Sequence, residues 1–106
     1  MTNAEYALSI LADPTRRALV EELRVGPMTV GQLSATTPVT RSAVSQHLQL
    51  MKVAELVLER REGTRRFYSL DPKILGQLRA YVDGLWTDAL ANFNHASSQE
   101  GGDGND

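Results

Sequence analysis

Four hydrogen-bonding side chains recur in one stretch of the sequence, between residues 40 and 56. Their spacing of three or four residues places them on one face of a helix; they are Ser42, Ser45, Gln46 and Gln49. This face carries hydroxyls and carboxamides and no acidic group, so it can exchange hydrogen bonds with a polyanion without repelling it. Such a face suits the edges of DNA bases. Gln46 is the best candidate for base discrimination, because a carboxamide can bond an adenine edge in bidentate fashion.

Other polar residues near this face are candidates for phosphate contacts or for packing. Thr40 and Arg41 stand at the predicted helix N-terminus, where free backbone amides assist the binding of phosphate. His47 adjoins the apolar side of the same helix, and two interpretations stay open: a partly buried packing residue and a phosphate contact. For Arg16 and Arg17, at the start of an earlier helix, two interpretations stay open: surface or salt-bridge residues, and DNA contacts.

A β-hairpin is predicted directly after this helix. Two β-prone runs, residues 56–61 and 65–70, flank a Glu-Gly-Thr segment in which Gly63 can adopt a positive φ. Tyr68 and Leu70 share one face of the second run and can pack back on the helices. A two-stranded hairpin is marginal alone, so this one must lean on a helical body with its tip projecting.

The predicted hairpin tip is cationic. It carries four arginines and one glutamate, a local charge of +3, between residues 60 and 66. Some of these arginines must face the body and pair with acids such as Glu59 or Glu62. We predict that Arg61 and Arg65, nearest the tip, contact the minor groove of DNA or its phosphates.

The elements that position these side chains form a helix-turn-helix. Opposite the polar face, residues spaced by four and three form an apolar stripe, which consists of Val44, Leu48 and Met51. This helix is predicted to run from its cap, Thr40, to Leu56. A short helix over residues 30–36, capped by Thr29, precedes it across a Thr-Pro-Val turn. Two short helices joined by a tight turn, the second one amphipathic, are typical of this motif.

Three further helices are predicted. The first covers residues 4–11, the second starts at Asp13-Pro14, and the last, opened by Asp71-Pro72, runs from Lys73 to about Asn94. The apolar band of the last helix is too wide for a helix that lies on a body of this size. Part of it, together with the first helix, should therefore bury against a second copy. The predicted dimer residues are Tyr6, Ile10, Leu78, Val82, Leu85, Trp86, Ala89 and Phe93.

Length, charge and composition bound the class of protein. The chain has 106 residues, no cysteine and a net charge of −2. We expect one domain, residues 1–96, and a disordered acidic tail, residues 97–106, because the tail contains no apolar side chain. Without cysteine there is neither a disulfide framework nor a thiolate metal site. We recognise no membrane span, signal peptide, catalytic spacing or phosphate loop, so we expect a cytoplasmic protein that is not an enzyme and needs no cofactor.

Taken together, these segments resemble the arsenic-repressor (ArsR/SmtB) family of bacterial winged-helix repressors. The resemblance covers about residues 5–94 and is carried by LADPTRRALVEEL at 11–23, TVGQLS at 29–34, SAVSQHLQLMKVAELV at 42–57 and RREGTRRFYSLDP at 60–72. It implies a winged helix-turn-helix fold, mainly α with a small β-hairpin (α+β), in the order four helices, two strands, one helix. It also implies a homodimer, joined by the first and last helices, whose recognition helices enter successive major grooves of a pseudo-palindromic operator. Members of the family typically repress their own operon and release DNA when a metal or another signal binds.

The chain departs from the family at the known metal sites. The thiolate site needs a Cys-x-Cys element on the third helix, where this chain has Val-Gly-Gln-Leu at residues 30–33. The other common site places an Asp, two His and a further acid or His on the last helix. If Asp83 is the Asp, the positions two and thirteen residues later are Leu85 and Ala96, which cannot bind a metal, so this pattern is absent too. We therefore expect no classical metal site. The inducing signal, an effector or a regulatory protein, stays unknown.

A further departure is Glu55, where the family usually has glycine at the end of the recognition helix. We expect Glu55 to need no special backbone conformation and to add a negative charge near the DNA-facing side.

Two alternatives to a plain homodimeric repressor remain. One is a winged-helix protein-interaction module, whose polar helix face docks on protein; the other is a repressor that responds to an effector in a non-classical ligand or metal site. An interaction module has no need of four arginines at a hairpin tip, so the tip favours DNA as the partner.

Overall fold

The computed structural model describes residues 2–100, and the side chains of residues 2–95. Over this range, five helices and one antiparallel hairpin follow one another in the predicted order. The helices are α1 (Asn3–Leu11), α2 (Pro14–Leu23), α3 (Val30–Thr36), α4 (Arg41–Val53) and α5 (Pro72–Glu100), and the strands are β1 (Val57–Glu62) and β2 (Arg65–Leu70). The prediction of a mainly α fold with a small β-hairpin is confirmed.

Side-chain caps fix where three of the helices begin. Asp13, Thr29 and Thr40 precede α2, α3 and α4, and each accepts a hydrogen bond from the backbone N–H three residues further on, at 3.0 to 3.1 Å. These bonds satisfy N–H groups that have no partner within a helix. Pro14 follows Asp13 at the first helical position, where a missing N–H costs nothing. All three of these caps were predicted and are confirmed, and Asp71, predicted to open α5, accepts the N–H of Lys73 at 2.9 Å.

Helix α4 ends at Val53, three residues before its predicted end at Leu56. The chain turns back because Glu55 adopts a left-handed φ of 63°. The N–H of Leu56 donates to the carbonyl of Met51 at 2.8 Å, and the N–H of Glu55 donates to that of Lys52 at 3.0 Å, the two bonds of a Schellman motif. The expectation that Glu55 needs no special backbone conformation is therefore wrong, because this position favours glycine.

The hairpin of β1 and β2, hereafter the wing, has a two-residue loop. Cross-strand pairs run from Val57 opposite Leu70 to Glu62 opposite Arg65, so the loop is one residue shorter than the predicted Glu-Gly-Thr segment. Gly63 begins the loop with a φ of 64°, as a two-residue hairpin loop requires. This register decides which side chains of the two strands share a face.

The wing is joined to the body by main-chain hydrogen bonds as well as by packing. Met28, just before α3, exchanges two backbone hydrogen bonds with Tyr68 of β2, at 2.9 and 2.8 Å. Tyr68 is buried and Leu70 packs against the core, as predicted. At the base of the wing, the N–H of Asp71 donates to the carbonyl of Leu56 at 3.0 Å. The wing therefore keeps a defined orientation relative to α4.

One hydrophobic core holds the helices and the base of the wing together. Its buried members come from α1 to α5 and from both strands, and they are Ala7, Ile10, Leu19, Leu23, Leu33, Val44, Leu48, Met51, Ala54, Leu56, Val57, Tyr68, Ile74 and Leu78. The core side chains of α4 are the three predicted ones. Among residues 2–100, no helix combines the length and apolar character that crossing a membrane requires.

Helix α5 packs on α1 near its start and then projects from the body. Beyond Leu78, every side chain of α5 up to His95 is exposed, and the molecule measures 67 Å by 26 Å by 26 Å. The helix runs to Glu100, past its predicted end near Asn94, because residues 95–100 contain no glycine or proline and Gly101 is the first helix breaker after Asn94. The rest of the predicted tail, residues 101–106, lies outside the described residues, and the division of the chain after residue 96 stays a prediction.

Candidate nucleic-acid interface

Helix α4 separates a packing face from a polar face. Its apolar stripe is fully buried, whereas three of the four predicted base-reading residues are exposed, namely Ser42, Gln46 and Gln49. Ser45 and His47 lie at the border between the two faces and are half-buried. The helix can thus present carboxamides and a hydroxyl outward without exposing the side chains that hold it in place.

The N-terminus of α4 combines free backbone amides with a cation. Thr40 accepts the N–H of Ala43 at 3.1 Å, and its hydroxyl proton stays available to an acceptor such as phosphate. Arg41 is exposed, and its guanidinium lies against Gly31 of α3. A helix N-terminus favours an anion, and the arginine adds a full charge to that preference.

Two of the four wing arginines pair with carboxylates. Arg60 Nη2 lies 3.0 Å from Glu62 Oε2, and Arg66 Nη1 lies 3.5 Å from Glu59 Oε2. The prediction that some wing arginines pair with Glu59 or Glu62 is confirmed. These two arginines are therefore partly neutralised by neighbours.

Arg61 and Arg65 make no ion pair with any side chain among residues 2–95. Arg65 and Arg60 share the outer face of the wing with Phe67, and the Arg65 guanidinium lies 5.1 Å from the centroid of the Phe67 ring. The ring orients the guanidinium without neutralising it. The two arginines proposed from the sequence are thus the two wing arginines that make no ion pair with a described carboxylate.

Glu59 links the wing to α4. Its carboxylate accepts a hydrogen bond from the Lys52 ammonium and pairs with Arg66 on the neighbouring strand. The hydrogen bond from Lys52 is the main cause that holds the pKa of Glu59 below its usual value; burial opposes the shift, and the charges of Lys52, Arg66 and Arg61 reinforce it. The ionised carboxylate is the form that stabilises this contact.

An open cleft of about 430 Å³ lies between the wing tip and the start of the helix-turn-helix. It is lined by Thr29, Val30, Arg41, Thr64, Arg65 and Arg66, and hence by three guanidinium groups, two hydroxyls and no carboxylate. This lining suits an anion with several oxygen acceptors, such as a phosphate. The cleft brings Arg41 and Arg65 to one place, although sequence reasoning treated them separately. The sequence did not predict Thr29, Thr64 and Arg66 as members of the cleft, because the approach of the wing tip to the start of α3 is a long-range contact that residue types do not reveal.

The side chains of Arg16 and Arg17, on α2, reach the C-terminal end of α1. Arg16 Nε donates to the carbonyl of Ile10 at 2.7 Å, and Arg17 Nη1 donates to that of Leu11 at 3.1 Å. Arg16 Nη1 also lies 3.5 Å from His47 Nδ1 on α4. Within the described residues neither arginine makes a salt bridge, so the salt-bridge interpretation is wrong for both, and each side chain caps α1. Arg17 is exposed, as expected for a surface residue.

Asp13 lies next to Arg16. The hydrogen bond from the Arg16 backbone N–H is the main cause that lowers the pKa of Asp13; burial opposes it, and the charges of Arg16 and His47 add to the lowering. Nowhere in residues 2–95, the surroundings of Asp13 included, do three His, Asp or Glu side chains come together in an arrangement that could hold a metal ion.

The predicted dimer residues fall into two groups. Ile10 and Leu78 are only 5% and 9% exposed, because α1 and α5 pack on each other within one chain, so these two side chains have little surface left for a partner. Tyr6 is half-buried against the same core. The remaining predicted residues are exposed on α5, in a band that also contains Tyr81 and Leu90: Val82, Leu85, Trp86, Ala89 and Phe93.

A helix-turn-helix with an exposed polar second helix, followed by a cationic two-stranded wing and a closing helix, defines a winged helix-turn-helix DNA-binding protein. Residues 13–58 match the family described as bacterial regulatory protein, arsR family. The chain is 50% identical over 99 residues to the HTH-type transcriptional regulator Rv2034 of Mycobacterium tuberculosis, covering 93% of this chain and 92% of that protein. It is 35% identical over 75 residues to the transcriptional repressor SdpR of Bacillus subtilis, covering 71% and 80%. The chain belongs to the ArsR family and is a DNA-binding transcriptional regulator.

Solved structures agree with this assignment. A possible transcriptional regulator for arsenical resistance superposes with a TM-score of 0.70 at 46% identity, over 84% of this chain and 93% of the other. The homodimeric winged helix-turn-helix DNA-binding domain of Mb0332 from Mycobacterium bovis superposes with a TM-score of 0.66 at 27% identity, over 85% and 83%. The relatives bear names of transcriptional regulators, in agreement with the expectation that the chain is not an enzyme.

Proposed function

We propose that two copies of the chain form a homodimer that represses transcription by occupying a pseudo-palindromic operator in double-stranded DNA. The observation that carries this proposal is the exposed polar face of α4 beside a wing whose Arg61 and Arg65 have no carboxylate partner among the described residues. A helix of this width fits the major groove of B-DNA. A hairpin beside it can reach the adjacent backbone or minor groove.

In this proposal, some residues at the DNA-facing side contact bases and others contact phosphates. Gln46, Gln49 and Ser42 form hydrogen bonds with base edges, and Ser45 and His47 contact DNA at the border of the same face. Thr40 and Arg41 bind a phosphate at the helix N-terminus, where the backbone amides add to the attraction. Arg61 and Arg65 neutralise phosphates beside the wing. Base contacts carry the sequence preference, whereas phosphate contacts fix position and supply most of the affinity.

The second copy covers the exposed band on α5, together with Tyr6 of α1. Large apolar side chains such as Val82, Trp86 and Phe93 are each more than half exposed in one chain. An apolar band of this size on a small domain favours association, because burial removes it from water. The Mb0332 domain from Mycobacterium bovis, described as homodimeric, is consistent with the same arrangement. Two-fold symmetry would place the two α4 helices about one turn of DNA apart, at half-sites roughly 34 to 36 Å apart.

Fluorescence anisotropy with a labelled duplex from upstream of the coding region tests the proposal. We expect specific binding that weakens with salt. Arg41, Arg61 and Arg65 give six cationic contacts per dimer, which corresponds to a slope of about −5 in log affinity against log salt. A scrambled duplex of the same length should bind at least about 1,000-fold more weakly at physiological salt. Equal affinity for both duplexes, or a flat salt dependence, would exclude this function.

A promoter–reporter fusion tests the sign of regulation. The upstream region is joined to a reporter gene in a host that lacks the chain, and the chain is then supplied from a plasmid. Repression requires that reporter output falls as the chain accumulates. Rising output would show an activator instead, while the DNA-binding part of the proposal would stand.

Base reading by Gln46 is tested by substituting it. Gln46→Ala should leave affinity for scrambled DNA unchanged and relax the preference at one base pair by about 1 to 3 kcal/mol. Gln77→Ala, on an exposed position of α5, is the matched control and should change neither affinity nor preference. If Gln46→Ala weakened binding to all duplexes equally, Gln46 would be a phosphate contact.

A further inference from the structure

We propose that Arg16 is a positioning residue of the DNA interface, which holds the imidazole of His47 in the tautomer that offers its Nε2–H to DNA. This inference rests on the proposed function. Arg16 belongs to α2 and is not part of the polar face of α4. The proposal is tested by measuring which imidazole nitrogen of His47 carries the proton.

Arg16 is fixed at three points. Its backbone N–H donates to Asp13 Oδ2 at 3.0 Å, and its Nε donates to the carbonyl of Ile10 at 2.7 Å. Its Nη1 lies 3.5 Å from His47 Nδ1, a long hydrogen bond that joins α2 to α4. The guanidinium therefore spans from the last turn of α1 to the recognition helix, and its bond to the Ile10 carbonyl limits its movement away from the imidazole.

The chemistry of arginine decides the proton on His47. A guanidinium stays charged and has five N–H donors and no acceptor. Facing such a group, His47 Nδ1 can form a hydrogen bond only if it is unprotonated and accepts. A neutral imidazole then carries its proton on Nε2. Arg16 thus selects a single tautomer.

His47 Nε2 is not fully enclosed by the protein. The imidazole is half-buried, and its only hydrogen-bonding partner among residues 2–95 is Arg16, at Nδ1. No buried side-chain nitrogen or oxygen in the described residues lacks a partner, so Nε2, which has none, must be accessible. His47 directly follows Gln46 at the edge of the polar face. A fixed N–H donor at this place matches acceptors that DNA presents, namely phosphate oxygens, guanine N7 and O6, and thymine O4.

Arg17 provides a matched control within the same helix. Its Nη1 donates to the carbonyls of Leu11 and Ala12 at 3.1 and 2.9 Å, so it caps the same end of α1 that Arg16 caps. It has no contact with His47 among the hydrogen bonds of the described residues. Arg16→Gln and Arg17→Gln each remove one capping guanidinium, and only the first removes the partner of the imidazole.

The deciding measurement is the 15N spectrum of the imidazole nitrogens in the full chain at pH 8, well above the usual imidazole pKa of about 6.5. Variant His95→Gln assigns the signals, because His47 and His95 are the only histidines. We expect an unprotonated Nδ1 and a protonated Nε2 for His47, with a mixture of both tautomers in Arg16→Gln and the original state in Arg17→Gln. A protonated Nδ1 in the unsubstituted chain would overturn the proposal, and this arm needs no variant of Arg16 to fold.

DNA affinity supplies the second arm, measured on the operator duplex. Gln places its amide nitrogen near the position of Nε2 and Asn places it near Nδ1, so His47→Gln should bind within about threefold of the unsubstituted chain and His47→Asn about tenfold more weakly. Arg16→Gln combined with His47→Asn should be within about twofold of His47→Asn alone, because both changes remove one function. Arg17→Gln combined with His47→Asn should instead show the product of the two single effects.

Two outcomes would overturn the proposal: equal operator affinity of His47→Gln and His47→Asn, or a double variant of Arg16→Gln and His47→Asn whose loss of affinity equals the product of the two single losses. If the unsubstituted chain failed to bind the operator at all, the proposed function would fall while the 15N spectrum would still decide the tautomer.

Discussion

The guanidinium of Arg41 lies against Gly31, across the turn that joins α3 to α4. A Cβ at residue 31 would stand 3.4 Å from Arg41 Nη1, 3.6 Å from Cζ and 3.7 Å from Nη2. A methyl group at this place would thus be in ordinary contact with the guanidinium, whereas a longer side chain would need the volume that the guanidinium occupies. Gly31 therefore gives Arg41 a flat support beside the cationic cleft.

Replacing Gly31 should move Arg41 without removing its charge. We expect Gly31→Leu to weaken operator binding about three- to tenfold, which corresponds to roughly 0.7 to 1.4 kcal/mol, because the guanidinium leaves the cleft. Gly31→Ala should bind as the unsubstituted chain does and should raise helix stability by up to about 1 kcal/mol. Gly76→Leu is the matched control, since nothing lies within 4 Å of a Cβ there. Anisotropy titrations check all three; unchanged affinity in Gly31→Leu would contradict the supporting role of Gly31.

Removing a wing arginine should affect binding according to whether its charge is paired. Arg65 has no carboxylate partner in the described residues, whereas Arg60 pairs with Glu62 at 3.0 Å. Arg65→Ala should weaken binding to every sequence and reduce the salt slope by about 0.9 for each phosphate contact, and so by close to two for a dimer. Arg60→Ala, on the same outer face, should change the slope by less than half as much. Equal slopes for the two variants would show that the ion pair does not decide which arginine meets DNA.

Replacing Glu55 with glycine should stabilise the fold. Its φ of 63° is unfavourable for a residue with a Cβ, and glycine adopts it without strain. Allowing for the greater freedom of glycine in the unfolded chain, we expect Glu55→Gly to raise the free energy of unfolding by about 0.5 to 1 kcal/mol. Glu55→Gln keeps the backbone strain and removes only the charge, so urea unfolding should show little change for it. If Glu55→Gln raised the free energy of unfolding as much as Glu55→Gly, the negative charge of Glu55 and not its backbone strain would be the cause of the instability.

How far the sequence predicts this structure depends on whether a feature is local. Caps such as Asp13 and Thr40 act within one helical turn, and their partners are always the same backbone amides, so the sequence was sufficient for them. The end of α4 at Val53 was missed because Glu55 is held in the left-handed region by bonds around it, and its residue type predicts otherwise. The pairs made by the wing arginines were predictable only as a group. Had the loop been one residue longer, the faces of one strand would have exchanged.

Long-range contacts explain the other misses. Ile10 was predicted at the dimer contact from its helical spacing, but it is buried in the core of the same chain, where α1 contacts α2, α4 and α5. Arg16 reaches a carbonyl six residues back and an imidazole on another helix, contacts that no spacing rule describes. By contrast, the exposed band of α5 was visible as an excess of apolar residues over what one small body can cover.

The contact of Lys52 with Glu59 should make stability depend on pH. The pKa of Glu59 is lower in the folded chain than in the unfolded one, so the stabilisation is complete above the unfolded value, near 4.3, and is lost as pH falls through the folded value. Glu59→Gln should be less stable by about 1 kcal/mol at pH 7, and the difference should shrink towards pH 3. Urea unfolding at a series of pH values checks this. Lys52→Gln should show the same reduced pH dependence, and a full dependence in that variant would point to another partner.

Trp86 should report the association of two chains. It is the one tryptophan of the sequence and is 65% exposed in the single chain, so covering it should shift its fluorescence to shorter wavelength as concentration rises. Val82→Glu should abolish the shift and leave a monomer in sedimentation, because a charge is costly in a buried apolar interface. Val25→Glu makes the same chemical change at a position 83% exposed just after α2 and should leave the shift intact. Loss of the shift in Val25→Glu as well would place the interface elsewhere.

Apart from the half-buried Ser45 and His47 at their border, the two faces of α4 share no residue. Val44, Leu48 and Met51 hold the helix in the core, while Ser42, Gln46 and Gln49 contribute nothing to that packing. Substitutions of these exposed residues can therefore change the preferred DNA sequence without lowering the stability of the fold. Duplicated copies of such a regulator can diverge towards new promoters one exposed side chain at a time, and α4 is the natural segment to randomise when a regulator with a new target is wanted.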